Sequence, residues 1–130
     1  MDRRVVITGL GAVTPCGNSP EELWNSLMAG RHGFELAPWF PDQEPDNLSV
    51  VSRVKNFDAS EYFDKKELRR NDVIVQYAVY CAMQALKDAG TDLKDIDPYR
   101  VGVVIGSGIG GIYTTEEEMA NYHNTASYTH

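Results

Sequence analysis

Two short runs of branched apolar residues set the strongest limit on what this chain can fold into. Val5-Val6-Ile7-Thr8 ends in Gly9 and Gly11, and Val101-Gly102-Val103-Val104-Ile105 ends in Gly106. A strand with one face in water alternates apolar and polar residues, whereas a strand covered on both faces does not. Neither run alternates, so both read as buried strands of a sheet with helices on its two faces. That is an α/β arrangement.

Helical signals fill the intervals. Ser19 is placed to cap a helix that starts at Pro20, with Glu22 three residues on to complete a capping box, and Gly30 stops it. Leu23, Trp24, Leu27 and Met28 give that helix one apolar face, a packing face rather than a chemical one. Residues 72–89 form the longest periodic element, apolar over most of its circumference, with Asn71 or Asp72 as cap and Gly90 as stop. They read as a core helix, with Tyr77 and Tyr80 packing inside. A polar helix is expected from Thr114 or Thr115, with Glu116, Glu117 and Glu118 near its positive end. The tail from Asn121 to His130 has no apolar period. Residues 31–47, with Pro38, Pro41 and Pro45, read as an irregular loop, 48–54 as a short strand, 57–63 as a turn, and 91–100 as a polar connector. Three candidate strands are few for such a sheet, so residues 1–130 read as an incomplete domain.

Composition excludes several function classes. The chain has 130 residues, with 12 basic against 19 acidic side chains and a net charge of -7. That balance disfavours a broad nucleic-acid or anionic-membrane surface. No apolar run approaches the ~20 residues of a membrane span. Cys16 and Cys81 form no metal spacing, and a reducing, cytoplasmic setting suits them. No two histidines among His32, His123 and His130 share a ligand spacing, so no metal is expected.

Gly106, Gly108 and Gly111 fit G-x-G-x-x-G after a strand and before a helix, the context of a dinucleotide loop. Gly9-Leu10-Gly11 is a weaker echo. The acidic residue such a site needs, ~20 residues on at the end of the next strand, is missing in both cases. Glycines that let the backbone turn, or line an apolar pocket, account for the pattern better, and no cofactor is implied. A nucleotide-binding α/β module is the alternative from another class.

Three stretches resemble the type II β-ketoacyl-[acyl-carrier-protein] synthases, in that family's order and spacing. They are Arg4 to Gly11 continuing to Pro15-Cys16-Gly17-Asn18, Lys66-Glu67-Leu68-Arg69-Arg70-Asn71-Asp72 leading to Lys87-Asp88-Ala89-Gly90, and Arg100-Val101-Gly102 to Gly106-Ser107-Gly108-Ile109-Gly110-Gly111. The resemblance covers about residues 3 to 120. It implies a thiolase-like layered α-β-α-β-α fold, of which only part of the N-terminal half is present. It also implies a homodimer, acyl carrier protein as partner, and decarboxylative Claisen condensation of acyl and malonyl thioesters. The family's nucleophilic cysteine and its histidines lie beyond the third stretch, so no residue here inherits a catalytic role and the chain alone is expected to be inactive. A non-catalytic subunit of chain-length-factor type is a further alternative.

Two sets of residues carry the remaining expectations. Lys65, Lys66, Arg69 and Arg70 are the one basic cluster in an acidic chain. It reads either as a solvated helix edge or, with the resemblance, as a carrier-protein docking site at Lys66, Arg69 and Arg70. Ile109, beside Gly108, is an odd apolar residue for a loop. It reads either as a plug on the core or, in the family, as a gate to the acyl pocket. Cys16 reads as a passive turn residue, and Cys81 as packing within a helix.

Overall fold

The computed structural model describes residues 3–37, 49–94 and 96–125. The chain divides into two compact units. The first comprises Met1–Asp58 and Tyr80–Asp95, the second Ala59–Val79 and Ile96–His130.

In the first unit, α1 spans Pro20–Met28. Ser19 Oγ accepts from Glu22 N at 3.1 Å, and Pro20 stands where a helix needs no N–H. The Glu22 carboxylate takes the Asn18 N–H at 2.7 Å rather than that of Ser19, so the reciprocal arm of the box is displaced by one residue. Gly30 leaves the helix at φ +65°, the left-handed region where a Cβ is costly. Ser26 is the buried residue of α1 and donates to Cys16 O at 2.7 Å. Trp24 and Leu27 are 62% and 56% exposed, so the packing expected of them is not made among the described residues.

β1 (Phe34–Leu36) and β2 (Val50–Ser52) form an antiparallel pair in which Glu35 faces Val51. β2 fits the short strand expected over 48–54. β1 corrects the loop expected over 31–47. Cross-strand hydrogen bonds, continued by Ala37 N to Ser49 O at 2.8 Å, supply an order that local composition does not reveal. Pro38, Pro41 and Pro45 lie outside the described residues.

α3 spans Val73–Ala89 and ends at Gly90, φ +68°. Within the first unit the glycine stretch 9–12 lies along its C-terminal half. A Cβ on Gly9 would collide with Ala85 O, and one on Gly11 with Cys81 O. The spacing matches: two residues of extended chain advance about 6–7 Å, and four residues of helix about 6 Å. The N–H groups that follow each of these glycines are met by side chains one helical turn apart. Leu10 N donates to Asp88 at 2.9 Å and Ala12 N to Gln84 at 2.8 Å. Gln84 in turn donates to Asn18 O at 2.6 Å.

In the second unit, Ala59 O accepts from Tyr62 N and Phe63 N, closing the expected turn, and α2 spans Lys65–Arg70. A 3₁₀ turn at Pro98–Arg100, capped by Asp97, interrupts the polar connector. α4 spans Ile112–Thr125. It starts two residues before the expected Thr114 and includes residues 121–125, the first part of the segment that showed no apolar period. Backbone bonding continues it through Asn121-Tyr122-His123-Asn124-Thr125, which have neither an apolar period nor high helix propensity.

Three expectations of burial fail. Val5 and Ile7 are 91% and 83% exposed, Val103 and Val104 are 79% and 98% exposed, and neither run joins a ladder among the described residues. A parallel strand takes hydrogen bonds from neighbours on its flanks, and the described residues offer none, so both runs stay unpaired and exposed. No residue of α3 is fully buried either. Its Cys81 and Tyr77 are half-buried, while Val73 and Met83 are exposed.

Candidate functional site

The second unit gathers the residues singled out for binding. α2 owes its start to a complete capping box. Asp64 Oδ1 accepts from Lys66 N at 2.7 Å and Glu67 N at 2.8 Å, and Glu67 Oε2 accepts from Asp64 N at 2.9 Å. Both acids of this segment are thus spent on backbone N–H groups. Lys66, Arg69 and Arg70, at i, i+3 and i+4, project from one exposed side of the helix. Among the described residues, no ion pair engages them. The capping box is legible in the sequence as Asp64-x-x-Glu67, a signal that would have placed the start of α2.

The C-terminal end of α2 is strapped to the start of α3. Gln76 Nε2 donates to Leu68 O at 3.2 Å and Asn71 O at 2.9 Å. Of the two caps considered for α3, Asp72 serves: its Oδ1 accepts from Ile74 N at 3.1 Å. Its Oδ2 accepts from Thr114 Oγ1 at 2.5 Å, in the first turn of α4. These bonds, Thr114's hydroxyl foremost and then the Ile74 N–H, hold the Asp72 carboxyl below the usual aspartate range. The same carboxylate lies so close to Gly111 that a Cβ there would stand 2.7 Å from Oδ2.

Gly111 closes the glycine loop. Gly110 sits at φ +74°, its N–H donates to Ser107 Oγ at 2.9 Å, and its carbonyl accepts from Ile112 N at 2.8 Å. Ile109 is 78% exposed, which overturns the plug on the core. A Cβ on Gly108 would meet nothing within 4 Å, so the loop around Ile109 has room to move. Immediately after it, one side of α4 lines an open groove of about 750 Å³ with Thr114, Glu118, Met119 and Tyr122, Asp72 and Gly111 forming its near end. The loop does not present the anion seat of a dinucleotide site. The first turn of α4, where a pyrophosphate would lie, already holds the Asp72 carboxylate.

The cysteines show no catalytic arrangement. Cys16 is held in a turn, its N–H bonded to Thr14 Oγ1 and its carbonyl to Ser26. His32 pairs with Phe34 at 5.7 Å. Burial pushes the Cys81 thiol up, opposed by a hydrogen bond with the Val13 backbone, the reverse of what a nucleophile needs. His123 lies in α4 against Tyr122, and His130 is outside the described residues. No group of three or more potential metal ligands forms among the described residues. No helix described is long and apolar enough to cross a membrane.

Comparison with known proteins bears on the family and the fold. The model of the family described as beta-ketoacyl synthase, N-terminal domain, matches residues 2–129. The chain is 43% identical over 115 residues to 3-oxoacyl-[acyl-carrier-protein] synthase 2 of Staphylococcus aureus strain N315, covering 88% of this chain and 28% of that enzyme. Among solved structures, it matches a type II polyketide ketosynthase in complex with its acyl-carrier protein and bound to a hexaketide. The TM-score is 0.75 at 28% identity, over 95% of this chain and 32% of the other. It also matches the ishigamide ketosynthase/chain length factor, with TM-score 0.77 at 26% identity, over 96% of this chain and 31% of the other.

Proposed function

This chain belongs to the β-ketoacyl synthase family, in the thiolase-like fold of the ketosynthases it matches, and on that premise we propose that it contributes the carrier-protein docking helix and the acyl-pocket loop of a fatty-acid condensing enzyme. The reaction is decarboxylative Claisen condensation. An acyl group passes from carrier-protein thioester to a cysteine thiolate, releasing the carrier thiol. Malonyl carrier protein loses carbon dioxide, and the resulting carbanion attacks the acyl-enzyme carbonyl and expels the cysteine. The chain spans 28% of the length of the staphylococcal relative, and the cysteine and histidines that the family resemblance implies are not among its 130 residues.

The observation that carries this reading is the basic face of α2. Lys66, Arg69 and Arg70 stand together on a short, firmly capped helix whose own acids are occupied elsewhere, in a chain of net charge -7. Such a patch steers an acidic partner to one place and repels it from the rest. Acyl carrier protein, which is strongly acidic, is the partner of the polyketide ketosynthase matched above. Ile109, exposed between small residues, serves as the gate through which a long acyl chain enters. A homodimer and a cytoplasmic location complete the proposal, the latter supported by the two free thiols.

Binding of acyl carrier protein to the chain, followed by fluorescence anisotropy, tests the docking face. The double reversal Arg69→Glu and Arg70→Glu is expected to weaken binding at least about tenfold and to flatten its salt dependence; unchanged affinity overturns it. A second reading, a non-catalytic subunit, is favoured by the likeness to the ishigamide ketosynthase/chain length factor. Formation of 3-oxoacyl carrier protein by the protein that carries this chain decides between the two.

A further inference from the structure

We propose that Asp72 is a positioning residue that couples the docking helix to the glycine loop, so that engagement of an acidic carrier protein at α2 changes the mobility of Ile109. The inference rests on the docking and gate roles proposed above and adds the connection between them.

The connection is short and made of side chains with two partners each. Gln76, in the first turn of α3, holds the carbonyls of Leu68 in the last turn of α2 and of Asn71 at its C-cap. Asp72, between the two helices, gives its carbonyl to Val75 N at 2.9 Å and one carboxylate oxygen to Ile74 N. Its other carboxylate oxygen goes to Thr114 and presses on Gly111. A change in the pitch or position of α2 under a docked partner moves the α3 cap, and the cap carries the carboxylate against which the loop ends. On the far side, the loop is loosely held. Gly106 and Gly108 meet nothing that a Cβ would touch, and Ser107 Oγ supplies the bond to Gly110. Strain delivered at Gly111 is therefore absorbed between Ser107 and Gly110, the segment that carries Ile109.

Thr114 lies 42 residues from Asp72 in sequence and outside the basic face, so it separates coupling from docking. The experiment is hydrogen exchange at the amides of residues 107–111, with the chain free and saturated with acyl carrier protein. In the wild-type chain, carrier protein is expected to change these rates by about twofold or more. Thr114→Val removes the hydroxyl and is expected to abolish that change while carrier affinity stays the same. Thr114→Ser, which keeps the hydroxyl, is expected to restore it, and a purely structural role for Thr114 gives no such pattern. Asp72→Asn, which keeps the shape of the cap, is expected to behave like Thr114→Val.

A wild-type chain that binds carrier protein without any change in the loop overturns the coupling and leaves docking standing. So does a change that persists in both Thr114→Val and Asp72→Asn. A wild-type chain that does not bind carrier protein overturns the docking role, and the coupling with it.

Discussion

Gly11 lies against the carbonyl of Cys81 so closely that the position admits no side chain. Gly9 repeats the contact one helical turn away, at Ala85. The obstacle in both cases is helix backbone, which cannot swing aside. Gly9→Ala and Gly11→Ala are each expected to cost at least about 1–3 kcal/mol, the range for forced overpacking. Gly102→Ala, in open space and without a positive φ, is expected to stay within about 0.5 kcal/mol. Urea-induced unfolding of the three variants checks the contrast; equal losses would show that the seam with α3 does not select for glycine.

Gln84 holds both sides of the same seam, accepting from Ala12 N and donating to Asn18 O. Gln84→Leu keeps the volume and strands two backbone groups. The expected loss is about 1–3 kcal/mol for each group left unsatisfied, with faster hydrogen exchange at Ala12 in particular. Protection at Ala12 that survives the substitution contradicts the assignment.

Glu35 answers to pH. Lys55 at 2.8 Å and Arg53 at 2.7 Å hold its carboxyl below the usual glutamate value of 4.5. A carboxyl depressed in the folded state contributes fully above its unfolded pKa, and the contribution is lost as pH falls through the folded one. The β1–β2 pair should therefore be indifferent to pH above 4.5 and lose protection only below it. Asp72, depressed from 3.8 by Thr114 and Ile74, should behave the same way in a lower window. Carboxyl carbon shifts followed by NMR across that range measure both, and a Glu35 midpoint at or above 4.5 contradicts the ion pairs.

Cys81 should be a slow nucleophile. Its half-burial raises the thiol pKa from the ordinary 9.0, so at neutral pH little thiolate is present. Alkylation by iodoacetamide is expected to rise only above the pH at which a free thiol responds. Incubation of the chain with an acyl thioester is expected to leave its intact mass unchanged. An acyl adduct on Cys81 or Cys16 would place chemistry in the chain that its geometry does not support.

What the sequence revealed was mostly local. Ser19, Pro20 and Gly30 act within a few residues of the helix they delimit, and α1 falls where they put it. The basic cluster was visible because Lys65, Lys66, Arg69 and Arg70 crowd into one short stretch of an acidic chain, which needs no knowledge of distant partners. The missed features depend on distant partners. β1 exists through pairing with β2 across a proline-containing segment. Asp72 meets Thr114 across 42 residues, and no periodicity announces that contact. The two branched runs show the opposite failure. Their composition reads as buried strand, and the structure leaves them exposed, because composition does not supply the neighbouring strands a ladder requires.

The seam between residues 9–12 and α3 also has a kinetic side. Ala12 and Gln84 are 72 residues apart, so their bond closes a long loop before it returns any stabilisation. Closing it is expected to be a late, slow event, following formation of α3. Yet the closure entropy grows only logarithmically, by about 0.6 kcal/mol for each doubling of the loop. Sequence inserted anywhere between Ala12 and Gln84 therefore raises the cost of that closure only slightly, so the seam tolerates a longer chain between its two sides far better than it tolerates a side chain at Gly9 or Gly11.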